Sequence, residues 1–185
     1  MRTIEIVDYQ VEWKSAFEEL SDYLKSHLSI TNPRIEHIGS TSVIGLAAKP
    51  IIDLVIVIDN ESEFQQVKTD LEHIDYLHVG NQGIAKREVF KLIKPNKFYP
   101  HHLYVAYKDA LSLKNHLVLR NHLRDHPEDV KRYADLKKEL AIKFTHDIDS
   151  YVEGKTEFIV SILKQYDFSP EYLDEIISSN RKNKL

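Results

Sequence analysis

A chain of 185 residues, 42% hydrophobic and 29% charged, has the composition of an ordinary globular protein with a real core, neither disordered nor fibrous. The absence of cysteine excludes a disulfide framework and any thiolate zinc site, and is compatible with a reducing cytoplasm. A formal net charge of −4 argues against broad adhesion to nucleic acid. The longest apolar run is too short for a bilayer and residues 1–6 lack a signal peptide's apolar core, so a cytoplasmic protein with no membrane partner is expected.

Taken in chain order, Trp13, Phe17, Leu20, Leu24 and Leu28 recur at three- and four-residue intervals and predict an amphipathic helix over Glu12–His27. Ile35–Ile38 reads as a short strand entering a turn at Gly39. Ile51–Ile58 is β-branched and apolar, as a strand covered on both faces should be. Residues 59–62 end that strand and start a second helix, with Phe64, Val67, Leu71 and Ile74 on its buried face. Gly80 and Gly83 mark a turn. Arg87–Ile93 and His102–Tyr107 then read as an antiparallel hairpin joined by the loop Pro95–Pro100.

From Ser112 the pattern is helical to the end. Leu113, Leu117, Leu119 and Leu123 mark one helix. Pro127, Glu128 and Asp129 form the first turn of the next, because proline suits the first helical position and acids suit the positive end of the dipole. Tyr151, Phe158, Ile159 and Ile162 lie on another, Ser169 and Pro170 open a last short one, and the polar stretch Asn180–Leu185 is expected to fray. No internal repeat is present. The fold class is therefore α+β: a small mixed sheet with flanking helices over residues 1–110, and a helical extension over 111–185 packed on it as one structural unit.

Asp53 is the first residue to suspect. An unpaired carboxylate inside an apolar strand is costly, so a metal, a cation or a hydrogen-bonding site must compensate it. Gly39 and Ser40 stand where a strand turns into a short helical link, whose free N–H groups suit a phosphate, with hydroxyls from Thr41 and Ser42 beside them. Taken alone, a Gly-Ser pair is better explained as an N-capped turn. A strand returning beside the first would bring Asp53 to that turn, and an anion site next to a carboxylate points to a polyphosphate bridged by Mg2+.

His102 and Tyr104 alternate on their strand and should face one side, as should Arg87 and Val89 on its neighbour. His102 then becomes a metal ligand, a partner of Asp53 or a proton carrier; His37, on the strand entering the turn, is open to the same readings and to that of a core histidine. Lys49 could neutralise phosphate as a point charge, while Arg87, Arg120 and Arg124 match phosphate oxygens in a fork, although salt bridges explain them almost as well. His122 and His126 have the spacing of helical metal ligands, but Pro127 puts a helix boundary at His126, which discounts a zinc site. Neither a nucleophile elbow nor a P-loop is present.

The stretches Ile35–Val43 and Gly45–Asp53 resemble the signature of the GrpB family. The resemblance extends over nearly the whole chain through Trp13, Phe17, Arg87, Phe90, His101, His102 and Leu103. It continues through Arg120, Leu123, Arg124, His126, Pro127, Tyr133, Leu136, Lys137, Tyr151, Lys155 and Phe158. It implies a fold like that of the nucleotidyltransferases, in which a Gly-Ser turn holds phosphates and carboxylates on the following strands hold magnesium. Carried onto this chain, it makes Asp53 and His102 the candidate catalytic residues and Asp53 the metal ligand. Gly39, Ser40, Thr41, Ser42, Lys49, Arg87, Arg120, Arg124, His37 and Tyr104 are then the candidate ligand-binding set. The expected partner is a nucleotide or related phosphorylated small molecule, with metal-assisted nucleotidyl transfer as the reaction.

The departures are specific. The second acid of the usual pair is Val55 here, the family's usual proline is Ile44, a second strand histidine is Tyr104, and Asn121 stands where the family run has an acid. Val55 favours the alternative of a non-catalytic ligand-binding or regulatory module, and the resemblance, through similar domains attached to some dephospho-CoA kinases, implies coenzyme A metabolism as its setting. A protein-interaction adaptor built on the helices is a third reading. It predicts no buried polar cluster around Asp53.

Overall fold

β-branched residues concentrated in Ile52–Ile58 make it an interior strand, flanked by one short strand from before the Gly39 turn and one from far along the chain. The computed structural model describes residues 3–181, so the polar tail expected to fray lies, beyond Arg181, outside the described residues. Their order is α1 (Glu12–His27), β1 (Arg34–Ile38), a 3-10 turn (Ser40–Ser42), β2 (Ile52–Ile58), α2 (Glu61–His73), β3 (Tyr76–His78), β4 (Arg87–Leu92) and β5 (His101–Tyr107). Four helices follow: α3 (Leu111–Asp125), α4 (Pro127–Lys143), α5 (Ile148–Leu163) and α6 (Pro170–Asn180). The architecture is α+β with a mixed five-stranded sheet in the order β1-β2-β5-β4-β3. Only the β2–β5 pairing is parallel; the other three are antiparallel.

The chain forms two compact units, both discontinuous, so no single cut near residue 110 separates them. The sheet unit comprises Gln10–Ser42 and Ile51–Leu117. Its β2 presents Ile52, Leu54, Ile56 and Ile58 on one face, all nearly inaccessible, and α1 packs on this strand with Trp13, Leu20 and Leu24 buried. The opposite face is closed by an apolar cluster of Ile38, Val55, Val57 and Ala106 from the sheet with Ala110 and Leu113. Asn60 caps α2, its side chain accepting from the Glu63 N–H at 3.1 Å, which satisfies one of the free donors at that helix start.

The helical unit comprises the described part of Met1–Tyr9, Val43–Pro50 and Val118–Leu185. Its early segments are tied in by backbone bonds: Ile4 N–H donates to Thr145 O, and Val7 and Ala48 exchange a reciprocal pair, all at 2.9 Å. Helix α5 approaches α4 at Gly154, where an added Cβ would stand 2.5 Å from a Leu140 methyl carbon. As Pro127 implies, α3 ends at Asp125 and α4 begins at Pro127. His122 is buried beside that junction, its Nε2–H donating to Asp129 Oδ2 at 2.9 Å while Nδ1 meets the Tyr166 hydroxyl at 2.9 Å. The stacked His122 and His126 rings, 4.0 Å between centroids, thus belong to a structural network. No helix among the described residues is long and apolar enough to cross a membrane.

Candidate functional site

The register of the sheet builds the site. Ile38 is paired with Asp53 across β1 and β2, and Asp53 with His102 across β2 and β5, so residues in register share a face. The side chain of Asp53 is 29% exposed and that of His102 50% exposed. His102 Nδ1 lies 2.8 Å from Asp53 Oδ1. A carboxylate only accepts, so Nδ1 carries a proton, and in the neutral imidazole Nε2 is the acceptor nitrogen.

Directly after β1 the chain turns at Gly39 with φ +70°, a left-handed conformation that glycine adopts without steric cost. The turn lies against the carboxylate: a Cβ added at Gly39 would stand 2.4 Å from Asp53 Oδ2. The lone acid of β2 and the turn after β1 therefore meet, which the sequence required only as a condition.

The three hydroxyls after Gly39 are not equivalent. Thr41 is buried, and its Oγ1 lies 3.0 Å from His37 Nε2 and donates to Ile51 O at 3.4 Å. Ser42 is also buried and donates to Gly39 O at 2.6 Å. Ser40 is the half-buried member. His37 is paired with Leu54, so it occupies the face opposite Asp53, where its ring stacks on Phe17 of α1 at 4.5 Å. Expected beside the ligand, His37 and the Thr41 hydroxyl instead brace the turn from behind. Sequence spacing alone does not fix which side of β1 faces the acid.

On the Asp53 face, Tyr104 is paired with Val55 and Val89, and Arg87 with Ala106. The Arg87 guanidinium lies 5.1 Å from the Tyr104 ring centroid. Burial, and then the charge of Asp53, push the Tyr104 phenol up to about 12, so it stays a neutral hydroxyl. Burial also draws Arg87 below the ordinary arginine value. His116 on α3 is a member of this group that the sequence did not single out. Burial lowers its pKa, the charge of Asp53 raises it and Arg87 lowers it further. Its only signal was a polar position between Leu113 and Leu117 on a helix whose packing partner was unknown.

Lys49, Arg120 and Arg124 belong to the helical unit. Lys49 Nζ lies 5.8 Å from the Tyr151 ring centroid, Lys155 Nζ lies 4.5 Å from it, and Arg120 Nε donates to Asn121 Oδ1 at 3.1 Å. Lys137 is a buried lysine of this unit. Its Nζ donates to Ala47 O and lies 4.6 Å from the Tyr133 ring centroid, and burial followed by the charge of Lys155 brings its pKa down to about 6.

With the fold and the acid-histidine pair described, their relatives can be placed. The profile of the family described as GrpB protein matches residues 3–165. The chain belongs to the GrpB family. The crystal structure of conserved protein GrpB from Enterococcus faecalis is 34% identical, with a TM-score of 0.75 over 92% of this chain and 98% of that one. The UPF0157 protein YqkA of Bacillus subtilis is 35% identical over 85% of this chain, and this chain spans 46% of its length. The Cid1 poly(U) polymerase with MgGTP bound is 18% identical, with a TM-score of 0.54 over 74% of this chain and 44% of that one. At that identity the likeness is one of fold, and the fold of this GrpB chain is nucleotidyltransferase-like.

Whether magnesium suits this GrpB site is a question of donors. Among the described residues there is no group of three or more His, Cys, Asp or Glu side chains able to hold a metal ion. Asp53 contributes one carboxylate, with Oδ1 engaged by His102 and Oδ2 beside Gly39. One carboxylate suffices for Mg2+ only when phosphate oxygens and waters complete the octahedron, so the residues fit a metal that arrives with its ligand.

Proposed function

We propose that the Asp53–His102 face of the sheet unit binds a nucleotide or a related phosphorylated small molecule. The observation that carries this reading is the meeting of three features: the acid of β2, the left-handed turn at Gly39 and a histidine whose Nδ1 is engaged by that acid. The nucleotidyltransferase-like fold supports it, as does Cid1, whose structure holds MgGTP. Ser40 and the backbone after Gly39 would meet phosphate oxygens, Asp53 would hold the magnesium that the phosphates bring, and Arg87 would balance their charge. The ion would supply charge stabilisation for nucleotidyl transfer. His102 Nε2 would take a proton from an attacking hydroxyl, its orientation held by Asp53 through Nδ1–H.

A second reading is favoured by a particular observation. Val55, where a second acid would extend the site, is 2% exposed and sealed into the apolar cluster with Ile38, Ala106 and Leu113. That packing suits a module that binds the phosphorylated ligand without transferring it. Thermal shift with ATP, GTP, CTP and coenzyme A, each with and without magnesium, separates the two. The transferase gives magnesium-dependent stabilisation that Asp53→Ala abolishes. The binding module gives stabilisation without magnesium that survives Asp53→Ala. No shift with any of them removes both readings.

A further inference from the structure

Tyr166 stands in the turn after α5 and is the only exposed tyrosine among the described residues. Its hydroxyl lies 2.9 Å from Nδ1 of His122, whose side chain is 2% exposed. On the far side of that ring, Nε2 lies 2.9 Å from Asp129 Oδ2, and the other carboxylate oxygen accepts from Arg132 Nη1–H at 2.8 Å. All four residues belong to the helical unit.

The partners fix the direction of these hydrogen bonds. The hydrogen bond from His122, opposed by burial and reinforced by the charge of Arg132, holds the Asp129 carboxyl below the usual carboxylate range, so it stays an acceptor at neutral pH. Nε2 of His122 therefore carries a proton, and in the neutral imidazole Nδ1 accepts from the Tyr166 hydroxyl. A hydroxyl that donates to an imidazole, itself aligned by a carboxylate, is the arrangement that makes a side-chain oxygen nucleophilic. Both ends are held by the backbone. His126 Nδ1–H donates to His122 O at 2.8 Å, Tyr166 N–H donates to Leu163 O at 3.0 Å, and Tyr166 O accepts from Phe168 N–H at 2.8 Å. The base is buried and the tyrosine exposed, so an arriving molecule meets the hydroxyl and not the histidine.

We propose that Tyr166 is a covalent modification site: a nucleophile that takes an acyl group from a neutral activated ester, with His122 as its base and Asp129 as the residue that positions the base. Tyr166 Oη attacks the ester carbonyl carbon while its proton passes to His122 Nδ1. The bond from that carbon to the leaving oxygen breaks, the leaving oxygen takes the proton from Nδ1, and the acyl group stays on Tyr166 as an aryl ester. The stacked rings of Phe168 and Tyr172, which follow in the chain, suit an apolar acyl group. The local charge, with Asp167 and Glu171 against Lys164, disfavours an anionic phosphoryl donor. The site does not depend on the reading of the Asp53 face.

Acetylation by p-nitrophenyl acetate at neutral pH, mapped by peptide mass spectrometry, tests the assignment. Tyr166 should be acetylated about 100-fold faster than the tyrosine of a free peptide spanning Leu163–Ser169, with a solvent deuterium isotope effect well above unity, as base-assisted attack requires. Asp129→Asn should slow the labelling by about tenfold or more in protein whose amide spectrum stays folded, because the histidine loses its aligned tautomer. A rate no faster than that of the peptide, or the absence of an isotope effect, overturns the proposal, and so does a folded Asp129→Asn chain that labels at the wild-type rate. The first two readings use the unaltered chain, so they decide the matter even where that variant fails to fold.

Discussion

Replacing Gly39 by alanine separates two costs at one position. The left-handed φ of +70° strains any side chain, and the new Cβ would meet Asp53 Oδ2 at 2.4 Å. Gly39→Ala is expected to lose about 1–3 kcal/mol of stability in denaturant titration. In the Asp53→Ala background the 2.4 Å contact with Oδ2 disappears, leaving the conformational strain and a 3.0 Å approach to the Cβ of residue 53, so the cycle should show coupling well above the scatter of independent sites. Additivity would mean that the carboxylate does not rest on the turn. The partly exposed Asp53–His102 pair itself should contribute at most about 1 kcal/mol. Asp53 was legible in the sequence because a single acid in a β-branched run stands out by its cost. His37 was not placeable, because strand alternation gives two faces without saying which is which. His116 was illegible for another reason: its surroundings exist only once α3 lies against Val55 and Arg87, a contact that no local pattern encodes.

Helices and strands carry their own signals unequally. Trp13 through Leu24 at helical spacing, residues 59–62 as a helix start and Pro127 at a first turn are local, and each reads directly into α1, α2 and α4. Strand β3, Tyr76–His78, left no mark, since three residues are too few for an alternation. The parallel union of β2 and β5 was only a condition, because it joins strands separated by α2, β3 and β4. Helix α4 also holds a testable charge. Burial draws Lys137 down to about 6 in the folded protein, against about 10.4 for an ordinary lysine. Between those values the unfolded chain binds the extra proton, so stability should rise with pH by up to about 1.4 kcal/mol per unit. Denaturation midpoints of Lys137→Met across that range should show a flattened slope. A slope equal to that of the wild type would mean that Lys137 remains charged when buried.

At the scale of the whole molecule, the first segment of the chain belongs with the last. Ile4 is buried with Leu140 and Tyr151, its N–H donates to Thr145 O, and Lys138 Nζ reaches Asp8 Oδ1 at 2.6 Å. Removing residues 1–8 should therefore lower hydrogen-exchange protection in α4 and α5 while the amides of β2 and β5 keep theirs. Equal losses in both sets would contradict the division. Composition could bound the size of the core, but the assignment of residues 3–9 and 43–50 to the helical unit rests on backbone pairing at long range. That interleaving has a consequence during synthesis. By the time Leu117 has left the ribosome, every residue of the sheet unit is present, whereas Ile4 and Ala47 must wait for Thr145 and Lys137, which are not yet made. Nascent chains arrested shortly after that point should already protect the sheet from protease and leave the two early segments open to cleavage.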